Sequence, residues 1–409
     1  MKSHKIINDP VYGFISIPSE LIFAVIDHPY FQRLRRIKQL GLTDMVYPGA
    51  LHTRFHHAIG AMHLMSLTLN HLRIKGIDIN DQEFEATLIA ILLHDIGHGP
   101  FSHALETIII KGVHHETLSH LFFDELNKQF HGQLTLAKEI FIGSYERKFL
   151  HQLVSSQLDM DRLDYLQRDC YFTGVSEGTI GADRIIKMMN VVNDQVVIEE
   201  KGIYSIENFL SARRLMYWQV YLHKTTVCAE KMLINLILRA KKLQSSGISL
   251  KGSDELIYFL QQPDRSGEQV ITPDFLKIFS RLDDFDIWGA IKLWKNQDDF
   301  ILSEISNMFL IRNLFKIQLL NQPYSPGYLS QMKEGLQRKF SLSEEELHYF
   351  FSSGEISNYG YLAKDKIWML TKRGEVIDVA HAADLPNIKA MSKIVKKYYA
   401  CHAKKLTLR

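Results

Sequence analysis

The chain has 409 residues, of which 46% are hydrophobic and 23% charged, and its formal net charge is +2. This balance is typical of a packed globular protein, and it argues against a general nucleic-acid coating, which requires a concentrated basic surface. The sequence has no stretch near the roughly 18 apolar residues of a membrane span and no signal-peptide pattern. Its three cysteines are too far apart to suggest a zinc or disulfide framework. We therefore expect a cytoplasmic protein without membrane contact.

Helical periodicity dominates the first 243 residues. Residues 1–18 instead predict turns with short extended pieces, because prolines and glycines interrupt them. Asn80 and Glu83 form a capping-box pattern ahead of one helix. The predicted helices cover about residues 19–28, 31–40, 54–73, 81–93, 114–130, 146–172 and 206–243.

The remaining elements predict a smaller second unit. A Ser/Gly-rich segment at 245–253 is the best internal boundary, dividing a helical core over 1–243 from a C-terminal lobe over 244–409. Helices continue to about residue 350, with a break at 323–327. Two hairpins are predicted, 196–198 with 202–204 and 367–370 with 376–379. The fold class is therefore all-α, mainly helical, with small β-hairpin additions and a mixed C-terminal lobe.

An adjacent histidine and aspartate, His94 and Asp95, directly follow a buried apolar run. A carboxylate and an imidazole in an apolar environment must pair, bind a metal or shift their pKa. His57 lies beside an upstream helix and Asp161 beside a downstream one. Together these four side chains predict a divalent-metal site, and their donor types suit Mg²⁺, Mn²⁺, Fe²⁺ or Zn²⁺ without choosing among them.

Three more histidines, His98, His103 and His115, follow the pair closely enough to share its cleft. Each could act as a general acid, because imidazole titrates near physiological pH. A helix-capping or supporting role is an equally good interpretation of each one. The sequence does not decide between them.

Two helix faces carry polar side chains at helical spacing. Asp161, Tyr165 and Asp169 share one face, and a second face combines side chains of the long helix. A solvated surface is the alternative interpretation of both. With Arg54 and Arg162, the two faces would supply cations suited to a triphosphate. The second face comprises Arg213, Tyr217, Tyr221 and Lys224.

These motifs resemble the HD-domain deoxynucleoside triphosphate triphosphohydrolases, which have bacterial and human members. The resemblance covers roughly residues 4–320. It rests on long, ordered segments: 5–10, 31–35, 37–41, 47–50, 54–57, 94–103, 115–116, 159–165, 168–170, 213–224 and 312–316. It implies hydrolysis of a dNTP to deoxynucleoside and inorganic triphosphate, by attack of a metal-held water on the α-phosphorus.

The resemblance also implies a role for each matching residue. The metal ligands are His57, His94, Asp95 and Asp161. The triphosphate is met by Arg54, Arg162, Tyr165 and Arg213, with Tyr217 beside them. Gln39 and Asp169 bind the 3′-hydroxyl, while Leu40 and Tyr221 exclude a 2′-hydroxyl. The catalytic set is His98, His103, His115, Arg54 and Asp159, with His115 favoured as the general acid.

A guanine-nucleotide activator site between subunits of a dimer or tetramer is also implied. Two departures bear on these roles. Arg162 stands where the human member has lysine, and Glu199 and Glu200 stand near a position where it presents arginine, so the same activation is in doubt. The activator positions are Lys5, Asn8, Asp27, Gln32, Arg35, Arg184, Arg312 and Lys316.

Two alternatives stay open at this stage. One is a phosphohydrolase that acts on another nucleotide phosphoester. The other is a nucleotide-sensing or single-stranded nucleic-acid-binding protein, which is favoured only by two lysine pairs, Lys396–Lys397 and Lys404–Lys405. Product analysis separates the first from a triphosphohydrolase, and a salt-dependent titration with oligonucleotide tests the second.

Overall fold

A computed structural model describes residues 5–110, 112–262, 273–358, 365–382 and 394–406, and for His103, Thr107 and Pro273 it describes the backbone alone. The first ten helices are α1 (Glu20–Asp27), α2 (Pro29–Gln32), α3 (Arg54–Ile74), α4 (Asp81–Leu93), α5 (Ser102–Ile109), α6 (His115–Gln129), α7 (Thr135–Phe141), α8 (Lys148–Val154), α9 (Met160–Thr173) and α10 (Ala182–Met188). The later helices are α11 (Ile203–Met216), α12 (Lys224–Ser245), α13 (Asp254–Leu260), α14 (Pro273–Phe279), α15 (Asp284–Trp294), α16 (Phe300–Leu310), α17 (Pro326–Phe340), α18 (Glu344–Phe350) and α19 (Val379–Ala382).

Short strands form three small sheets around the helices. The strands are β1 (Ile6–Asp9), β2 (Gly13–Ser16), β3 (Met189–Val192), β4 (Gln195–Glu199), β5 (Lys316–Leu320), β6 (Phe351–Asn358), β7 (Trp368–Leu370), β8 (Val376–Asp378) and β9 (Val395–His402). The sheet orders are β1-β2, β3-β4-β7-β8 and β5-β9-β6, and only the β4–β7 pairing is parallel. The mainly helical fold with small β additions is thus confirmed.

The centre of the molecule is α3, which packs against α4 and α9. Most of α3 is buried, and α4 is apolar on nearly every side, which is typical of a helix inside a core. The predicted capping box at the start of α4 is confirmed, because Asn80 and Glu83 each accept the other's backbone N–H. In the described part of the chain, no helix has the length and apolar content to cross a membrane.

Three predicted helices are interrupted. The segment 31–40 contains only the end of α2 and a 3₁₀ turn, because the buried side chain of Arg33 turns inward to donate to the carbonyls of Ile96 and Leu282. The segment 146–172 is divided at Asp159, whose carboxylate caps the N-terminus of α9. The predicted helix over 206–243 begins earlier, at Ile203, and is divided by a π-helical turn at Tyr217–Tyr221.

The first predicted hairpin is displaced along the chain. β4 pairs with the preceding strand β3 rather than with residues 202–204, which lead into α11. The turn consists of Asn193 and Asp194, both with positive φ (50° and 60°), which suits a two-residue hairpin connection. The second predicted hairpin, β7–β8, is confirmed. The segment 316–320, predicted as helix, is strand β5, and β6 and β9 were not predicted.

The proposed boundary at 245–253 coincides with the loop between α12 and α13, but the two sides pack together. Asp284 at the start of α15 accepts backbone N–H groups from Lys38 (2.8 Å) and Phe101 (3.1 Å). β4 and β7 join both sides in one sheet. Buried hydrophobic residues form one cluster that includes both sides. The division into two domains stays a prediction.

Candidate active site

Three of the four predicted ligands meet at the ends of α3, α4 and α9. The Nε2 atom of His57 lies 3.1 Å from Oδ1 of Asp161 and 3.3 Å from Nε2 of His94, and His94 Nε2 lies 3.5 Å from the same carboxylate oxygen. These three donor atoms could hold one metal ion. The side chain of His57 is fully buried, whereas Asp161 is partly exposed toward solvent.

The far nitrogen of each imidazole is already engaged. His57 Nδ1 contacts a carboxylate oxygen of Asp164 at 2.7 Å, and His94 Nδ1 contacts the carbonyl of Ile91 at 2.6 Å. Both partners can only accept, so each Nδ1 must carry a proton, and each imidazole in its neutral form presents a lone pair at Nε2. Three electron-pair donors therefore face one another, which is the arrangement that supporting hydrogen bonds give a metal site. The residues present fit a divalent cation.

The pKa shifts express the same demand for positive charge. Burial opposes a charge on His57, but hydrogen bonds to Asp161 and Asp164 outweigh it and raise the pKa of His57 to about 10. Burial also opposes ionisation of Asp161, yet contacts with His57 and His94 hold the pKa of its carboxyl far below the usual range. A proton here occupies a place that a metal cation can take.

Asp95, the fourth predicted ligand, lies at the edge of this group. Its Oδ1 is 3.3 Å from His94 Nε2 and its Oδ2 is 3.8 Å from His57 Nε2. The same carboxylate contacts Arg54 at 2.5 Å and His98 at 3.2 Å. It is therefore near enough to complete the ligand set while holding a cation and an imidazole beside it. Its role as a ligand stays a prediction.

A tight turn after Asp95 brings two more histidines to the site. A Cβ atom on Gly97 would lie 2.2 Å from the carbonyl oxygen of His115, so only glycine lets this turn approach α6 so closely. The rings of His98 and His115 stack with centroids 3.9 Å apart. His115 Nδ1 contacts Glu106 at 2.6 Å, which leaves Nε2 of His115 for other partners. Burial, followed by the nearby Arg54 charge, lowers the pKa of His98 well below its ordinary value.

We call His57, His94 and Asp161 the metal group. A cavity of about 530 Å³ adjoins it, a volume typical of small-molecule sites. Asp95 and Asp161 lie in its wall. The other predicted residues that line it are Gln39, Leu40, Arg54, His98, His115, Arg162, Tyr165, Asp169, Tyr217 and Tyr221. Arg213 is buried and contacts Tyr217 of the wall, with its guanidinium carbon 6.0 Å from the ring centroid.

Several buried polar atoms at the cavity lack partners among the residues that the structure describes. Buried polar atoms without partners are costly, so a bound ligand or water that hydrogen-bonds to them would stabilise the site. Four of the predicted substrate residues contribute such atoms: Gln39 Oε1, Arg54 Nε, Arg162 Nε, and Nε and Nη1 of Arg213. All but one of these atoms belong to guanidinium groups, which favours an anionic ligand.

The carboxylate of Asp169 is fixed from both sides. His52 Nε2 contacts one oxygen at 2.7 Å, and the hydroxyl of Tyr221 donates to the other at 2.8 Å. His52 in turn stacks on Phe172, with ring centroids 4.5 Å apart. Asp169 therefore presents its remaining acceptor positions to the cavity in a fixed orientation.

Three expectations about site residues have different outcomes. Asp159 is not among the described residues that line the cavity; it caps α9 and pairs with Arg162, and its catalytic role stays a prediction. Lys224 does not share the face of Tyr217 and Tyr221, because the π-helical turn shifts it to a different cavity beside β5. The side chain of His103 lies outside the described residues.

The predicted activator positions lie on separate elements, and no described contact joins all of them. Arg35 Nε donates to Gln32 at 2.8 Å, and Lys5 lies 3.0 Å from the ring centroid of Phe23. Asn8 and Asp27 are exposed on β1 and α1. The other three are exposed on α10, after α16 and on β5: Arg184, Arg312 and Lys316.

Sequence reasoning missed three residues at the cavity. Glu106 orients His115 and His52 orients Asp169, but neither partner could be located without the fold. Glu230, on α12, lines the cavity and is largely buried, and burial raises its carboxyl pKa to about 7. The only sequence signal for Glu230 was its place directly after a short apolar run, Val227–Ala229.

The chain matches the HD domain over residues 54–169 and the HD associated region over residues 180–272. It is similar to a phosphohydrolase from Bacteroides thetaiotaomicron VPI-5482, whose crystal structure superposes with a TM-score of 0.94 at 51% identity, covering 98% of this chain and 100% of that one. The protein YwfO of Bacillus subtilis (strain 168) is 35% identical over 321 residues, which are 77% of this chain and 72% of YwfO. The chain belongs to the HD-domain phosphohydrolase family.

The relatives of this HD phosphohydrolase include deoxynucleoside triphosphate triphosphohydrolases. The SAMHD1 homolog of Dictyostelium discoideum is 33% identical over 274 residues, which are 62% of this chain. The match spans only 52% of that protein's length. The family resemblance drawn from the sequence is therefore confirmed at the level of the HD phosphohydrolases and their dNTPase relatives.

The metal group gives a first prediction. Asp161→Asn replaces a charged donor with a weaker, neutral one, so we expect Mn²⁺ affinity to fall more than about 100-fold. Isothermal titration of the metal-free protein with Mn²⁺ measures this. Asp81→Asn is the matched control, because the Asp81 side chain is almost fully exposed. Wild-type affinity in Asp161→Asn would show that the ion binds elsewhere.

Glu230 gives a second prediction. Its folded pKa of about 7 exceeds the ordinary 4.5, so ionisation destabilises the fold as pH rises through this interval. Glu230→Gln should therefore raise stability by up to about 3 kcal/mol at about pH 8.5 and much less at about pH 5. Thermal unfolding at both pH values checks this, with the exposed Glu334→Gln as control. An equal change at both pH values would contradict a buried titrating carboxyl.

Proposed function

We propose that this HD phosphohydrolase converts dNTPs to deoxynucleoside and inorganic triphosphate. The observation that carries the proposal is the cavity itself: it adjoins the metal group, Arg54 and Arg162 line it, and the buried Arg213 contacts its wall at Tyr217. All three arginines have nitrogens without partners among the described residues. Three guanidinium groups, of Arg54, Arg162 and Arg213, match the charge of a polyphosphate better than that of a single phosphoester.

Arg54 contacts Asp95 at the edge of the metal group. A divalent cation held there would polarise a phosphoryl oxygen and lower the pKa of a bound water. Arg54, fixed by Asp95 at 2.5 Å, would neutralise charge that develops at the α-phosphate. Arg162 and Arg213 would hold the remaining phosphates. This assignment directs water to the α-phosphorus, so the whole triphosphate leaves together.

His115 is the best-placed proton donor for the 5′-oxygen. Its Nδ1 is oriented by Glu106 at 2.6 Å, which leaves Nε2 to face the leaving oxygen. His98 is less suited, because burial and Arg54 lower its pKa and keep it neutral. In this proposal His98 orients Asp95, and His115 Nε2 delivers the proton to the leaving oxygen.

The sugar subsite would combine recognition and exclusion. Asp169, fixed by His52 and Tyr221, is positioned to accept a hydrogen bond from a 3′-hydroxyl, with Gln39 beside it in the wall. Leu40 and the Tyr221 ring would occupy the space of a 2′-hydroxyl. A buried hydroxyl without a partner costs about 1–3 kcal/mol, which favours deoxyribose.

Product identification tests the reaction. Each of the four dNTPs is incubated with the metal-loaded protein, and mass spectrometry assigns the phosphorus products. We expect deoxynucleoside and intact triphosphate in equal amounts. Pyrophosphate with a monophosphate, or stepwise orthophosphate, would place the attack at another phosphorus and refute the proposal. Turnover of a monophosphate or cyclic nucleotide alone would support the other phosphohydrolase interpretation.

Sugar selectivity gives a third prediction. Tyr221→Ala removes the ring that would block a 2′-hydroxyl, so the ratio of dNTP to NTP turnover should fall by about tenfold or more. Tyr221→Phe is the matched control, because it keeps the ring and loses only the hydrogen bond to Asp169. It should retain most of the selectivity. An unchanged ratio in an active Tyr221→Ala protein would show that discrimination lies elsewhere.

Guanine-nucleotide activation of an assembled homo-oligomer is a further part of the proposal. Repulsion from Glu199 is weaker than the sequence suggested, because Lys75 and Lys201 pair with its carboxylate at 2.7 and 2.9 Å. Glu200 accepts the backbone N–H of Lys372 at 2.7 Å. Glu199 is therefore paired with two cations, whereas the hydrogen bond leaves the negative charge of Glu200 in place.

Linkage gives the fourth prediction. A nucleotide that binds only the assembled form must stabilise that form, so GTP or dGTP should raise both oligomer mass and turnover. Mass photometry and activity, measured on the same samples, test this. An unchanged mass and full activity without nucleotide would make the predicted activator residues structural.

Nucleic-acid binding receives little support from the structure. Lys396 pairs with Glu355 at 2.9 Å, and Lys397 lies over the ring of Trp218, 4.2 Å from its centroid. Both lysines of this pair therefore already have partners.

A further inference from the structure

A buried chain of charges connects the N-terminal hairpin to the metal group. Asp9 ends β1, and its carboxylate accepts from Arg168 on α9 at 2.8 and 3.3 Å. Arg168 also donates to both oxygens of Asp164, each at 3.0 Å. Asp164 in turn contacts His57 Nδ1 at 2.7 Å. Each of these four side chains is at least nine-tenths buried.

One glycine on α3 makes room for this chain. A Cβ atom on Gly60 would lie 2.1 Å from a guanidinium nitrogen of Arg168 and 2.1 Å from a carboxylate oxygen of Asp164. Glycine in the middle of a helix costs about 1 kcal/mol relative to alanine. The close approach of the charged pair therefore explains why this helical position has no side chain.

Arg168 is shared between two carboxylates, and this sharing determines how strongly Asp164 accepts from His57. If Asp9 lost its charge, the guanidinium would interact with Asp164 alone. Asp164 would then attract the His57 Nδ1 proton less, and His57 Nε2 would become a poorer electron-pair donor. The charge of Asp9 thus acts on the metal group through Arg168, which contacts Asp9, and then through Asp164, which contacts both Arg168 and His57.

We propose that Asp9 is a positioning residue for the metal centre, coupling the β1–β2 hairpin to metal affinity through Arg168, Asp164 and His57. The hairpin also presents Lys5 at its start and the exposed Asn8 beside Asp9. A ligand or subunit that shifts this hairpin would change metal affinity, and by linkage the metal would change affinity at the hairpin equally. The inference rests on the metal group and not on the identity of the nucleotide substrate.

Metal titration without nucleotide tests the proposal. Asp9→Asn keeps the shape and removes the charge, so Mn²⁺ affinity should fall about tenfold, with Asp164→Asn falling about 10–100-fold. The double variant Asp9→Asn/Asp164→Asn should lose less Mn²⁺ affinity than the product of the two single losses, because both changes interrupt the same chain of contacts. Asp81→Asn, whose carboxylate is almost fully exposed, should bind as wild type does. Wild-type affinity in Asp9→Asn, or strictly additive losses, would overturn the proposal.

A second variant keeps the test decisive if Asp9→Asn does not fold. Gly60→Ala retains every charge and favours the helix, but its methyl group must displace Arg168 or Asp164. We expect weaker Mn²⁺ binding with full helical content by circular dichroism. A folded Gly60→Ala protein with wild-type affinity would show that the placement of this pair does not affect the metal. Because no nucleotide is present, either result is independent of the product analysis.

Discussion

The Nε2 atoms of His57 and His94 and a carboxylate oxygen of Asp161 lie 3.1–3.5 Å from one another. Three electron-pair donors this close repel one another unless positive charge lies between them. Asp164 and the carbonyl of Ile91 each take the Nδ1 proton of a histidine, so neither imidazole can relieve the repulsion by changing tautomer. With neutral histidines, the carboxylates in and behind the group (Asp9, Asp95, Asp161 and Asp164) outnumber the guanidinium groups (Arg54 and Arg168) by two. A divalent cation matches that excess.

The rest of the core positions these donors. α3, α4 and α9 meet so that His57, His94 and Asp161 converge, and glycines allow the two closest approaches, at Gly60 and Gly97. The lobe beyond residue 245 contributes through Asp284, which accepts from the backbone beside the cavity at Lys38 and Phe101. Residues before and after position 245 therefore both support the cavity. A change far along the sequence can alter the shape of the cavity.

Three of the four side chains that the sequence predicted as metal ligands converge in the structure, and part of their sequence signal is local. His94 and Asp95 directly follow a buried helix, and few roles suit an acid and an imidazole there. Partners of buried charges could not be predicted in the same way. Glu106, His52 and the pairing of Asp9 with Arg168 depend on which elements become neighbours, and spacing along the chain does not encode that. The π-helical turn at Tyr217–Tyr221 and the break at His223 were missed because these residues keep an α-helical pattern, and together they misplaced Lys224.

Anomalous diffraction tests the central claim most directly. Crystals grown with Mn²⁺ and measured at the manganese edge reveal the ion without reference to substrate or activity. The account predicts one strong peak between the Nε2 atoms of His57 and His94 and the carboxylate of Asp161, at bonding distances of roughly 2.0–2.3 Å. A peak at another place, or bonds through Nδ1 of either histidine, would contradict it.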